Sequence, residues 1–269
     1  MTYELAIIGA GNMAEAIARG LITGKVLTPQ QMIAADVSSE RRDLFTNKLF
    51  IKAVESPAEA ASEASTILLS VKPQNMKDVL NDLRPVIDDD ALVISIAAGI
   101  SSRFIEENLA PKRCRVIRTM PNTPMLVGEG MAAIAAGSRA TQRDLDHARR
   151  LFAPAAAVID VTEDKLDAVT ALSGSGPAYF FFLVEQMIRA GVEMGLTEKE
   201  AHILATKTAL GAAKMLTIST DSPQELRRKV TSPKGTTYAA ITHMEQHDWP
   251  QVVVNALKAA QRRGRELGS

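Results

Sequence analysis

The stretch Leu5-Ala6-Ile7-Ile8-Gly9-Ala10-Gly11-Asn12-Met13-Ala14 decides how the rest of the chain is read. Four apolar residues in a row, with no alternation, fit a strand covered on both faces. The glycines stop that strand, and Met13, Ala14, Ile17, Ala18, Leu21 and Ile22 then recur at the spacing of one helical face. Strand, glycine turn and helix form the context that a dinucleotide fingerprint requires. Gly9 permits the tight turn, Gly11 lets a pyrophosphate approach the backbone, and Ala14 keeps helix and strand close. With Ala10, Asn12 and Met13 they make the expected cofactor loop. The anion would sit on the helix N terminus, where free N–H groups and the helix dipole favour it.

Outward from this motif, short apolar runs alternate with amphipathic stretches as far as residue 163. Strands are expected at 5–8, 32–35, 66–71, 91–97, 115–118, 131–135 and 157–161. Apolar strands separated by helices imply a mostly parallel sheet covered on both faces. After Val161 the strand signal stops, and helices are expected at 165–173, 177–195, 198–217, 223–230, 236–247 and 250–266. The division is therefore 1–163, an α/β dinucleotide-binding domain of Rossmann type with a doubly wound sheet, and 164–269, an all-α domain. In the second, Phe180 to Val184 is apolar without a break, and Glu185, Arg189 and Glu193 leave only a narrow polar stripe. Such a helix is buried, either within its domain or against another subunit. Ala205, Ala209, Gly211, Ala212 and Ala213 on the next helix permit close backbone approach, and an oligomer built on the helical half is expected.

Composition narrows the function classes. The 269 residues are 46% hydrophobic and 23% charged, which suits a globular chain. Lys plus Arg and Asp plus Glu both total 31, so the net charge is zero and no nucleic-acid partner is expected. The densest basic cluster, Arg262, Arg263 and Arg265, suits the end of a terminal helix. A single cysteine, Cys114, excludes an internal disulfide, and no Cys/His pattern suggests a metal. The apolar strand starting at Leu5 leaves no room for a charged leader, and no apolar run reaches membrane-spanning length. A cytoplasmic protein without membrane partners is expected.

Asp36, at the end of the second strand, stands where a carboxylate would accept from adenosine ribose hydroxyls, as in NAD binding. Ser38, Ser39, Arg41 and Arg42 just beyond it argue for a 2′-phosphate instead, so NAD and NADP both stay open. Val71-Lys72-Pro73 comes at the carboxyl end of the 66–71 strand and Ala98-Gly99 after the 91–97 strand, and such strand ends line the crevice where ligands bind in open α/β sheets. Arg118-Thr119-Met120-Pro121-Asn122-Thr123-Pro124 reads as a stiff loop without helical character, able to hold a planar ring.

Two polar islands interrupt the helical half. Ser173-Gly174-Ser175-Gly176-Pro177-Ala178 starts a helix at proline but lacks the glycine that a nucleophile elbow needs two residues before Ser175. Thr231-Ser232-Pro233-Lys234-Gly235-Thr236-Thr237 places hydroxyls and free N–H groups at a helix start, an anion site suited to a substrate carboxylate. His243 and His247 lack the zincin order, because Glu245 follows His243 by two residues rather than one.

Together the Gly9–Ala14 motif, Val71-Lys72-Pro73, the Arg118–Pro124 segment, the run ALSGSGPAY from Ala171 and the run TSPKGTT from Thr231 resemble pyrroline-5-carboxylate reductase over nearly the whole chain. The last two runs are specific to that family, and Lys234 departs from it, standing where glycine is usual. The resemblance implies reduction of 1-pyrroline-5-carboxylate to L-proline with NADPH or NADH, the last step of proline biosynthesis. It also implies an all-α C-terminal dimerisation domain, interlocked homodimers and often decamers. Carried over to this sequence, it puts Ser232, Gly235, Thr236 and Thr237 on the substrate carboxylate, with the Thr237 hydroxyl also reaching the ring nitrogen. Lys72 and Asn122 orient cofactor and substrate, and Gly9–Ala14, Asp36, Val71, Lys72, Pro73, Ala97, Met120, Pro121 and Asn122 hold the cofactor.

Two rivals differ in kind. A β-hydroxyacid dehydrogenase also joins such a sheet domain to helices, but it needs a lysine and, four residues later, an asparagine on its first long helix; the segment here, PAYFFFLVEQMIRAG, lacks that lysine. A dinucleotide sensor without turnover would share the binding motifs and is separated by an activity assay.

Overall fold

The computed structural model describes residues 2–267. It comprises two compact units, one formed by the chain up to Ser175 together with the residues from Ala260, the other by Gly176–Ala259.

The first unit is built on β1 (Tyr3–Ile8), β2 (Met32–Ala35), β3 (Lys52–Val54), β4 (Ala64–Leu69), β5 (Leu92–Ser95), β6 (Arg115–Pro121), β7 (Gly130–Ala136) and β8 (Ala156–Asp160). They form one sheet in the order β3-β2-β1-β4-β5-β6-β7-β8. Every pairing is parallel except β6 with β7. Around it lie α1 (Asn12–Thr23), α2 (Ser39–Leu49), α3 (Pro57–Ser62), α4 (Met76–Leu83), α5 (Ser102–Leu109) and α6 (Gln142–Phe152). Side chains alternate across the sheet, as the two-residue period of a strand demands. Leu5, Ile7, Met32 and Ala34 pack with Ile17, Leu21, Phe45 and Phe152 of α1, α2 and α6. Ala6, Ile8, Ile33 and Ala35 pack with Ala60, Met76, Leu80 and Ile105 of α3, α4 and α5. Two buried faces explain why these strands are apolar throughout.

Several expected boundaries move. The strands expected at 66–71 and 91–97 end at Leu69 and Ser95, where the backbone leaves the sheet towards the crevice. The segment expected as a loop from Arg118 to Pro124 is strand as far as Pro121, then a 3-10 turn over Thr123–Val127. Antiparallel pairing with β7 extends β6, matching Pro121 with Ala132. Pro121 costs no ladder bond on the other side, because pairing with β5 ends at Arg118. β3 is an additional short strand at the sheet edge. The helix expected over 165–173 is α7 (Leu166–Val169) running into a π-helical turn, Thr170–Gly174. The chain stays with the first unit to Ser175 because Leu166 is buried among Met120, Ala133 and Ala135.

The second unit contains α8 (Gly176–Glu193), α9 (Glu198–Ile218), α10 (Pro223–Lys229), α11 (Thr236–Gln246) and the beginning of α12 (Trp249–Leu267). Helix α9 opens with a capping box between Thr197 and Glu200. It lies close to α8 where small residues meet: a Cβ on Gly191 would stand 2.9 Å from that of Ala201. Further along α9, Gly211, Ala212 and Ala213 are exposed. Nor is α8 buried within its own chain, since Phe180, Phe181 and Phe182 are 65%, 68% and 60% exposed. Among the described residues no helix is long and apolar enough to cross a membrane.

Candidate active site

Five parallel strands point their carboxyl ends the same way, and four of them end at one row. Ala35, Ile8, Leu69, Ser95 and Arg118 are register partners across β2, β1, β4, β5 and β6. Past this row the chain turns into the segments singled out above, with the switch in strand direction of travel lying between β1 and β4.

At that switch Gly9 has φ +95°, and a Cβ on it would lie 2.8 Å from the Ser70 carbonyl oxygen. Only glycine fits both the conformation and the contact. Gly11 differs: nothing lies within 4 Å of its Cβ position, so the space above the α1 start is open. Gly11 is also the N-cap of α1 and supplies no side-chain cap. The first amides of α1, at Asn12, Met13 and Ala14, therefore keep donor capacity for an anion. Ala14 is fully buried against the sheet, and Met13 is half-buried beside it. On β6, one residue past the register row, Thr119 Oγ1 is a buried hydroxyl oxygen with no partner among the described residues. Open space and uncapped amides at the start of α1 fit a dinucleotide.

Asp36 is half-buried, and its Oδ2 accepts from the Ala10 amide at 2.7 Å while Oδ1 accepts from the Ser38 amide at 2.9 Å. Arg41 Nε donates to the Ala10 carbonyl at 2.5 Å, and its guanidinium pairs with Glu15 at 2.9 Å. Glu15 also holds Arg19 at 2.8 Å. Burial pushes the Glu15 pKa up, but the hydrogen bonds and charges of Arg19 and Arg41 outweigh it and keep the carboxyl below its usual value. Glu15 carried no motif signal; only its spacing of four from Arg19 marks it in the sequence.

Val71 is half-buried, with Cγ1 3.0 Å from the Gly9 Cβ position. Lys72 is exposed and precedes a 3-10 turn that begins at Pro73. Ala97 is 6% exposed, and its amide donates to Ser95 Oγ at 3.3 Å. Met120 is buried, with its sulfur 3.3 Å from the Gly174 Cβ position. Asn122 spends its amide on structure: Nδ2 donates to the Ser173 carbonyl and hydroxyl oxygens at 3.3 Å, and Oδ1 accepts from the Met131 amide at 2.8 Å. It thus ties the ALSGSGPAY run to the β6–β7 connection. These bonds span up to 51 residues and have no local sequence signature.

In the second unit, the Ser232 carbonyl accepts from the Gly235 amide at 3.0 Å, closing a turn with Pro233 and Lys234 at its centre. Lys234 adopts φ +58°, the region that favours glycine at this turn position. Its side chain points into solvent rather than crowding the loop. A Cβ on Gly235 would lie 2.4 Å from Ser232 Oγ, so the turn is tight around that hydroxyl. Gly235 is the N-cap of α11 without a side-chain cap, leaving the amides of Thr236 and Thr237 at the helix start. Thr237 is half-buried and Thr236 exposed. Among the described residues no group of three His, Cys, Asp or Glu side chains converges to hold a metal.

Comparison with known proteins agrees with these features. The family described as pyrroline-5-carboxylate reductase dimerisation matches residues 163–267, and that described as NADP oxidoreductase, coenzyme F420-dependent, matches residues 4–99. A pyrroline-5-carboxylate reductase of Pseudomonas aeruginosa is 41% identical over 99% of this chain and 97% of its own. A pyrroline-5-carboxylate reductase structure from Coxiella burnetii superposes with a TM-score of 0.91 at 35% identity, covering all of both chains. A Plasmodium falciparum pyrroline carboxylate reductase with NADP bound gives 0.89 at 28% identity over 99% of this chain and 98% of its own. By this near full-length identity, the chain belongs to the pyrroline-5-carboxylate reductase family.

Proposed function

We propose that the protein reduces 1-pyrroline-5-carboxylate to L-proline with NADPH or NADH, the last step of proline biosynthesis. The observation that carries the substrate assignment is the tight Ser232–Gly235 turn opening directly onto the uncapped start of α11. In this family a carboxylate-bearing substrate needs an anion site, and free amides beside hydroxyls supply one without a fixed cation.

The bound cofactor supplies the hydride that goes to the imine carbon. The chain's own residues hold and orient. The α1 amides and Gly11 take the pyrophosphate, Asp36 the adenosine ribose hydroxyls, and Val71, Lys72, Pro73, Ala97, Met120 and Pro121 border the nicotinamide end. Asn122 acts as a positioning residue, keeping the Ser173 run in place. Ser232, Gly235, Thr236 and Thr237 take the substrate carboxylate, and the Thr237 hydroxyl reaches the ring nitrogen. An imine already carrying its proton is electrophilic, so orientation supplies much of the acceleration.

The exposed aromatic run of α8, Phe180, Phe181 and Phe182, packs against a second copy to make a homodimer. A cytoplasmic location suits the lone, buried thiol of Cys114.

Steady-state kinetics of Thr237→Ala test the substrate site. A KM for 1-pyrroline-5-carboxylate raised by about tenfold or more, with cofactor affinity unchanged, is expected for one lost hydrogen bond to a charged group. Kinetics equal to those of the wild type would remove Thr237 from the site.

A further inference from the structure

We propose that this chain takes NADH in preference to NADPH, and that Asp36 and the Glu15–Arg41 pair set the choice. The inference rests on the dinucleotide reading above and adds a selectivity that the family assignment leaves open.

The two cofactors differ by a phosphate on the adenosine ribose, a monoester with about −1.5 to −2 charge at neutral pH. The residues just past the second strand meet that position. By type those residues are contradictory, since Asp36 suits hydroxyls while Ser38, Arg41 and Arg42 suit a phosphate. Their bonding resolves the contradiction.

Asp36 cannot swing aside, because Ala10 and Ser38 amides hold one carboxylate oxygen each, at 2.7 and 2.9 Å. Each oxygen retains a lone pair that a ribose hydroxyl can donate to. A phosphate dianion has no proton to offer there and meets a fixed like charge. Arg41 is already committed to the Ala10 carbonyl and to Glu15, and the Arg41 and Glu15 side chains are only 22% and 15% exposed. Arg42 donates to the carbonyls of Asp36 and Val37 at 2.8 and 3.0 Å, and faces Glu55 at 3.6 Å. The Ser38 hydroxyl caps α2, accepting from the Arg41 amide. Each guanidinium keeps N–H donors unused, but both are held in place by backbone carbonyls with the carboxylates of Glu15 and Glu55 beside them, so a 2′-phosphate would meet their charge already offset.

Equilibrium binding of NADH and of NADPH to the purified full chain, read by nicotinamide fluorescence without substrate, tests this. NADH is expected to bind at least about tenfold more tightly, as like-charge repulsion at close range demands. Asp36→Ser should shrink that ratio by tightening NADPH binding, and Glu15→Gln, which frees Arg41, should shrink it without weakening NADH. Equal affinities, or tighter NADPH, in the wild type would overturn the selectivity and leave the dinucleotide reading standing. Binding of neither would overturn both. A ratio unchanged in both variants would overturn the assignment to these residues, and the wild-type ratio decides the preference without any variant.

Discussion

Arg118 on β6 donates to Glu163 at 3.0 Å, an ion pair across 45 residues that fixes the segment leading into α7. The same carboxylate accepts from the Ser102 amide at 2.7 Å and hydroxyl at 2.5 Å, at the start of α5. Burial raises the Glu163 pKa, but the Ser102 bonds and the Arg118 charge outweigh it and hold the group below the usual 4.5. A folded-state pKa below the unfolded one means the stabilisation is whole above that usual value and disappears as pH falls through the folded value. Glu163→Gln should cost about 2 kcal/mol in urea unfolding at neutral pH, since Arg118 is left buried without its counter-charge. The variant should also lose part of the wild type's decline in stability on the acid side. Equal stability at neutral pH would contradict the role given to this pair.

The two fingerprint glycines should fail differently. Gly9→Ala places a Cβ 2.8 Å from the Ser70 carbonyl oxygen at φ +95°, and a loss of about 2 kcal/mol or more is expected. Gly11→Val meets nothing within 4 Å at φ −71°, so the fold should hold to within about 1 kcal/mol. Cofactor binding should nevertheless fail in Gly11→Val, because the side chain fills the space left for the pyrophosphate. Thermal unfolding and dinucleotide titration check both, and full affinity in Gly11→Val would refute the placement of the anion.

Lys234 is strained by its φ of +58° and gains no ion pair among the described residues. Lys234→Gly should therefore raise stability by about 0.5–1 kcal/mol, the relief of a left-handed residue less the added chain entropy. Calorimetry reads it as a higher Tm. A lower Tm would mean that the lysine side chain supports the turn.

Phe181 is 68% exposed on α8 in a single chain. Sedimentation of the wild type should give a dimer or larger species, and Phe181→Glu should shift it towards the single chain by burying a charge in an apolar interface. A wild type that sediments as one chain would contradict dimerisation through this face.

The core of the fold is legible because its strands are covered on both sides. The runs at Leu5–Ile8 and Met32–Ala35 are apolar at every position, and both periodicities, sheet and α1 helix, survive into the structure. β3 escaped the pattern because three residues, one of them the exposed Lys52, are too short for a hydrophobic period. β6 runs past the expected strand because its extension depends on β7, a partner whose pairing no local window contains.

The candidate site divides along the same line. Gly9, Gly11 and Asp36 announce themselves by residue type and spacing, since backbone conformation and close approach are local properties. Glu15 and Glu163 do not, because their partners Arg41 and Arg118 lie 26 and 45 residues away. The ambiguity between Asp36 and the arginines after it is likewise a matter of which donor meets which acceptor. Residue types alone cannot express that.

Reduction of a cyclic imine by this protein is read by following the absorbance of NADH and of NADPH when 1-pyrroline-5-carboxylate is added to the purified chain. Oxidation of reduced cofactor with formation of stoichiometric L-proline is expected, faster with NADH at limiting concentration. Binding of both cofactors with no oxidation of either would contradict it and leave a dinucleotide sensor in its place.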